Sequence, residues 1–330
     1  MRKLTLMNKT GSNINYAAQC LREGKLVAFP TETVYGLGAN ALDPIAVARI
    51  FAAKKRPSFD PLIVHIASLD EIPRLLANPI DERVVKLAQA FWPGPLTIVH
   101  KKSDLIPDIV TSGGSTVGIR MPSHPLALEL IETAGIPVAA PSANTFGQLS
   151  PTTAAHVAKQ LQDVDYILDG GATQIGIEST VISLQNGFVE ILRPGAITLQ
   201  QISKIIPEVR MSGEYSSIKN LQSPGLLKSH YSPRKPVYLH NMFPGTVDDQ
   251  TGIIAISQFS KVPASNHTIY LSEDGDLIQV AANLFSAMHH MEENPDVKQM
   301  FIEAVPEVSI GIAIMDRLRK AAFQYLPETS

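Results

Sequence analysis

A single cysteine, Cys20, in 330 residues excludes an internal disulfide and any zinc site built on thiolates. Charge is sparse as well: 18% of residues are ionic and the formal net charge is −3. That balance argues against a general grip on polyanions, while leaving room for local basic clusters. No apolar stretch approaches the roughly 18 residues that span a bilayer. The opening residues, MRKLTLMNKT, lack a secretory apolar region. A soluble, cytoplasmic protein with no membrane partner is the expectation. Signature motifs are missing too. There is no GxxxxGK[ST] phosphate loop, and Gly36-Leu37-Gly38 is not completed by a third glycine. HExxH and GxSxG are absent. His289 and His290 would stand about 100° apart on a helix, a poor pair of metal ligands. Any nucleotide chemistry must use a less common scaffold.

What is present is a 45% hydrophobic chain, long enough for one large domain and a smaller one. Short apolar strands alternate with amphipathic helices through the first two thirds. Residues 14–23 read as a helix and 25–29 as a strand. Asp43-Pro44 is a helix start, with Asp as N-cap, and Pro57 is the stop. PLIVHI, LTIVHK, TVGIR, IPVAA and YIL read as strands. Helices are expected over 81–91 and near 125–134, and another opening at Ser150-Pro151-Thr152. Asn186-Gly187 is the best hairpin signal in the chain, and Thr198 caps a closing helix. Periodicity then disappears over 211–236, a Ser, Gly, Pro and Lys-rich linker. Beyond it, VYLH, TGIIAIS, TIYLS and QMFIEAV are strands, with a long helix from Leu277 and a last one over IGIAIMDRLRKAAF. This tail is a small α/β domain.

Polar clusters recur where strands end. In open α/β sheets ligands sit there, because loops from several strands converge. FPTETVYG crowds Thr31, Glu32, Thr33 and Tyr35 behind one strand; His65 lies in PLIVHI, and Arg120 closes TVGIR. Ser142 and Asn144 follow IPVAA, and Arg193 ends FVEILR. Hydroxyls, amides and cations together suit a small zwitterion with phosphates. Bland readings stand beside each. AKKRP can be a helix C-terminus complemented by charge, His65 a core histidine, and Ser142 and Asn144 an ordinary turn. Arg120 pairs with a carboxylate of protein or of ligand. Glu178 can cap a turn, and Ser179 and Thr180 can be plain strand residues. His230-Tyr231 can be spacer or a docking element.

Nine segments resemble one family in order: KLVAFPTETVYGLGANA, KKRPSFDPLIVHI, WPGPLTIV, TVGIRMPSHPLA, PVAAPSAN, SPTTAAHV, ILDGG, GIESTVISL and ILRPGAIT. They are similar to the threonylcarbamoyl-AMP synthases of YrdC-like fold, through nearly all of residues 10–205. SPGLLKSHYSP and GIAIMDRLRKAA resemble the long, two-domain form of that family. The resemblance implies an α/β fold: a twisted, mixed-sheet catalytic domain (1–210), a linker or lid (211–236) and a smaller Rossmann-like domain (237–330).

The implied reaction condenses L-threonine, bicarbonate and ATP, with Mg²⁺ accompanying the nucleotide, and releases pyrophosphate. The product would supply N6-threonylcarbamoyladenosine at position 37 of ANN-decoding tRNAs, later proteins performing the transfer; tRNA or that downstream transfer complex is the implied macromolecular partner. The family's K-x-R falls on Lys54 and Arg56, the implied catalytic pair. Thr33, His65, Arg120, Ala140 and Ser179 would surround threonine. Arg56, Asp60, Thr116, Ser142, Asn144, Ser150, Arg193 and Tyr231 would surround ATP. No side chain is assigned to the metal. Three departures stand out. Phe146 replaces a serine, GLLKSHYSP is less basic than usual, and Asp316 stands where asparagine is common.

No protein nucleophile is needed. The cations would neutralise charge, Arg120 would fork the threonine carboxylate, and the linker bearing Tyr231 would cover a carbamate that water destroys. Two rivals remain: an RNA-binding module of the same fold, which salt-dependent RNA binding without pyrophosphate release would mark, and a relative using carbamoyl phosphate.

Overall fold

The computed structural model describes residues 9–185, 187–212, 231–240 and 246–323. Strands run in chain order as β1 (Thr10–Gly11), β2 (Val27–Phe29), β3 (Gly36–Asn40), β4 (Ile63–His65), β5 (Leu96–Lys101), β6 (Thr116–Arg120), β7 (Val138–Ala139), β8 (Tyr166–Leu168), β9 (Thr180–Gln185), β10 (Phe188–Arg193) and β11 (Val209–Met211). They form one mixed sheet in the order β1-β8-β2-β3-β7-β4-β6-β5-β9-β10-β11. The helices are α1 (Ile14–Arg22), α2 (Pro44–Lys54), α3 (Ile72–Leu75), α4 (Glu82–Phe91), α5 (Pro125–Ala134), α6 (Ala154–Gln160) and α7 (Leu199–Ser203).

The alternation of β2 shows how the layers arise. Val27 and Phe29 point into a cluster with α1 and α5, while Ala28 points into the larger core with α2, α4 and α6. Both sheet faces are therefore covered near β2. Local chemistry sets the helix ends. The Asp43 carboxylate accepts from the N–H groups of Ile45 and Ala46 at the start of α2, and Thr198 closes a reciprocal capping box with Gln201.

Three expectations shift. Gly36–Asn40, given no element between the strand at 25–29 and the helix from Pro44, is strand β3, paired antiparallel to β2 and β7. Its glycines are there for space: a Cβ on Gly38 would stand 2.8 Å from Phe29 and 2.9 Å from Val138. The helix after Ser150 begins only at Ala154, with Thr153 as its cap. The closing helix ends at Ser203. The hairpin β9–β10 forms as expected; its Asn186 lies outside the described residues.

A second, all-parallel sheet contains β12 (Val237–His240), β13 (Thr251–Ala255), β14 (Thr268–Tyr270) and β15 (Gln299–Glu303) in the order β12-β15-β13-β14. Helix α8 (Leu277–Glu293) crosses from β14 to β15, and α9 (Gly311–Ala322) follows. One apolar cluster joins these helices to Val34, Leu149, Ile177 and Tyr231, so the smaller unit packs directly on the larger. The approach is close at Gly176, where φ is 75° and a Cβ would lie 2.4 Å from the Ala281 carbonyl of α8.

Candidate active site

The turn after β2 and the end of β6 meet. Thr31 Oγ1 donates to the Val34 carbonyl (2.7 Å) and lies 2.8 Å from Thr33 Oγ1, so the crowded hydroxyls first fold their own loop. Thr33 Oγ1 in turn accepts from Arg120 Nη1 at 3.0 Å. Parallel pairing of β4 with β6 sets His65 beside Arg120. Arg120 Nη2 lies 2.7 Å from Glu32, so its carboxylate partner belongs to the protein. His65 is buried, and its Nδ1 meets no hydrogen-bond partner among the described residues. Burial, seconded by the Arg120 charge, pushes its pKa down from 6.5 to about 3. The imidazole is neutral at pH 7.

A second cation enters from α2. Lys55 ends the helix in the left-handed region, at φ 53°, which turns the chain so that Lys54 and Arg56 leave in different directions. Lys54 Nζ donates to the carbonyls of Ser142 (2.6 Å) and Asn144 (2.5 Å). It ties the 142–144 loop to the helix. Burial, then Arg56, holds its pKa well below the ordinary lysine value. Arg56 donates to the carbonyls of Asp60 (3.0 Å) and Pro61 (2.8 Å) and pairs with the Asp60 carboxylate at 2.9 Å. Burial pushes the Asp60 pKa up, against the pull of Arg56.

Arg193, ending β10, completes the set from a third direction. Its Nε and Nη2 donate to the Ser179 carbonyl at 3.1 and 3.0 Å, and Nη2 also reaches Ser179 Oγ at 3.2 Å. Beside it, Glu178 accepts from Ser150 Oγ and from Arg317 Nε of α9, the latter at 3.0 Å. Burial raises the Glu178 pKa, but Arg317, Arg193 and Ser150 outweigh it and hold the carboxyl below its ordinary value. Tyr231 is buried at φ 60°, an uncommon conformation for an aromatic residue, with Arg317 over its ring at 5.6 Å.

These groups surround one open-mouthed cavity. Thr33, His65, Arg120, Ala140, Ser142 and Ser179 line it together with Arg56, Arg193 and Tyr231. Of the remaining residues singled out in the sequence, Lys54, Asp60, Asn144 and Ser150 stand one layer behind, bonded to the residues named above or, for Asn144, to the Thr145 and Gln148 carbonyls at 2.8 Å. Thr116 does not line the cavity. It opens β6 two residues before Gly118, the partner of Ile63, so the register points it toward the Pro61 end of β4.

Family models match nearly the whole chain: one described as "Telomere recombination" over residues 19–195, and the C-terminal domain of threonylcarbamoyl-AMP synthase over 197–323. The threonylcarbamoyl-AMP synthase of Pyrococcus abyssi is 43% identical, over 94% of this chain and 94% of its own length. That of Bacillus subtilis is 41% identical, over 94% and 92%. This chain belongs to the threonylcarbamoyl-AMP synthase family. The solved structure of Pyrococcus abyssi Sua5 complexed with L-threonine superposes with a TM-score of 0.85, at 43% identity and 94% coverage of both chains. The two-domain family architecture follows from these matches.

Within this synthase-family site, sequence reasoning left Glu32 and Arg317 unassigned. Arg317 carried a legible signal: it lies three residues after Ile314 and four before Ala321, on the apolar stripe of its helix. A charge there calls for a buried partner. Glu32 carried none beyond its place in the loop.

The neutral histidine also sets a pH dependence. A base whose folded pKa lies below its unfolded value stabilises the fold least where the unfolded chain takes up the proton. Stability is thus complete above pH 6.5 and is lost as pH falls toward about 3, by up to about 1.4 kcal/mol per pH unit for a group this buried. His156, also held at about 3 by burial and by His289, adds in the same window. Thermal melts between pH 8 and 4 should show a flat upper limb and a falling lower one. The fall should be shallower for His65→Asn.

Proposed function

We propose that this chain condenses L-threonine, bicarbonate and ATP to threonylcarbamoyl-AMP and pyrophosphate, for the N6-threonylcarbamoyl modification of adenosine 37 in ANN-decoding tRNAs. The observation that carries the reading is one cavity lined by three arginines, Arg56, Arg120 and Arg193, together with the hydroxyls of Thr33, Ser142 and Ser179. Family membership and the threonine-bound relative support it.

Arg120 and Thr33 hold the threonine carboxylate and hydroxyl beside the neutral His65. The amine, once its ammonium proton is lost, condenses with bicarbonate to a carbamate with release of water, and a carbamate oxygen attacks the α-phosphorus as pyrophosphate leaves. Such a transfer needs alignment and charge neutralisation, which fixed guanidinium groups in a buried cavity supply. Lys54 keeps the Ser142–Asn144 loop in place against this cavity. The carboxylates beside the cavity are each committed to an arginine, Glu32 to Arg120, Asp60 to Arg56 and Glu178 to Arg317. Mg²⁺ would therefore come with the nucleotide and would help to neutralise phosphate charge. Most of the linker read as a cover, residues 213–230, lies outside the described residues; Tyr231 lines the cavity.

Pyrophosphate release tests the reading. It should require ATP, L-threonine and bicarbonate together. Salt-dependent RNA binding without such release would favour the RNA-binding module instead.

A further inference from the structure

Glu32 stands between two residues that line the cavity, yet its own side chain does not join them. It is 2% exposed. One carboxylate oxygen lies 2.7 Å from Arg120 Nη2, but neither oxygen receives an aligned hydrogen bond among the described residues. Buried carboxylates ordinarily collect several donors. Among the described residues the one ion-pair partner of Glu32 is the Arg120 guanidinium, with His124 within reach of its field. Arg120 does not need Glu32 to be aimed, because Thr33 Oγ1 (3.0 Å) and the Gly94 carbonyl (3.3 Å) already hold the guanidinium. What Glu32 supplies is its charge.

The consequence falls on the ligand. His65 beside the pair is neutral, so Arg120 meets a ligand with its charge already offset by Glu32. A carboxylate docking on Arg120 also meets the field of Glu32, which little water screens at this depth. Only a ligand that brings its own cation restores the balance.

We propose that Glu32 is a specificity-determining residue: by neutralising Arg120 it makes the cavity wall at Arg120 accept a zwitterionic amino acid and reject carboxylates that lack an ammonium group. The inference rests on the amino-acid reading of the site above and deepens it.

Calorimetric binding to the full chain tests it, with L-threonine and with 3-hydroxybutyrate, the same skeleton without the amine. In the unmodified protein threonine should bind the more tightly. In Glu32→Gln, which keeps the shape and removes the charge, threonine should weaken and 3-hydroxybutyrate strengthen. Their affinity ratio should move about tenfold or more. Glu32→Asp should keep the original preference, and affinity for a non-hydrolysable ATP analogue should hold throughout. A ratio unchanged in Glu32→Gln, or both ligands weakened alike as a merely structural role demands, overturns the proposal. So does 3-hydroxybutyrate binding as well as threonine in the unmodified protein, a comparison that decides alone if the variant does not fold. Failure of threonine itself to bind the unmodified protein removes the amino-acid reading first, and the two failures are thereby distinct.

Discussion

Replacing Arg56 with alanine is expected to lower pyrophosphate release about 10²–10³-fold, the usual cost of deleting one fixed donor to developing charge. Arg56 is held by the Asp60 and Pro61 carbonyls and by the Asp60 carboxylate, so its guanidinium needs no rearrangement before it meets a phosphate. Arg56→Lys keeps the charge but loses the fork, and should fall between the two. One confounding effect is foreseeable. The alanine variant strands Asp60, which is 2% exposed, and a buried carboxylate without its counter-ion destabilises the fold. Burial already pushes the Asp60 pKa up, so the stranded group is poised to take a proton. Arg56→Ala/Asp60→Asn should therefore recover thermal stability without recovering activity. Recovery of both, or a single variant of ordinary rate, would show that Arg56 serves only the fold.

How much of this was legible beforehand depends on the range of each interaction. Helix starts at Asp43 and Thr198 are local events: a side chain bonds an amide two or three residues on, and the sequence displays both partners. Strand β3 was hidden because its glycines look like a turn. They serve instead the close packing of Phe29 and Val138, neighbours that only the sheet order brings together. The cavity residues were found mostly through family resemblance. Their spacing alone left each as an ordinary turn, a strand arginine or a core histidine. What neither pattern nor resemblance resolved was direction. Lys54 and Arg56 sit two apart, and a left-handed Lys55 decides that one clamps a loop while the other faces the cavity. Pairings across the fold, such as Glu178 with Arg317, join residues 139 apart and leave no mark in any local window.

That pairing gives the second large expectation, on stability. Arg317 is fully buried in α9, and it donates to Glu178 at 3.0 Å and to the Pro194 carbonyl and Asp316 at 2.8 Å. Its alanine variant leaves Glu178 with Ser150 and the more distant Arg193 field, while Asp316 retains Lys320 at 2.8 Å. A broken buried pair costs about 3–5 kcal/mol, whereas replacing both members by neutral groups costs little. Arg317→Ala should thus melt well below the unmodified protein, and Arg317→Met/Glu178→Gln should regain most of the loss.

The pH dependence separates this from simple cavity formation. Glu178 has a folded pKa below its ordinary 4.5, so its contribution is present above that value and is lost as pH falls through the folded one. The gap between the unmodified protein and Arg317→Ala should accordingly narrow in acid. A gap of constant size from pH 8 to pH 3 would mean that packing of the arginine stem, and not its charge, holds the smaller unit against the wall of the cavity.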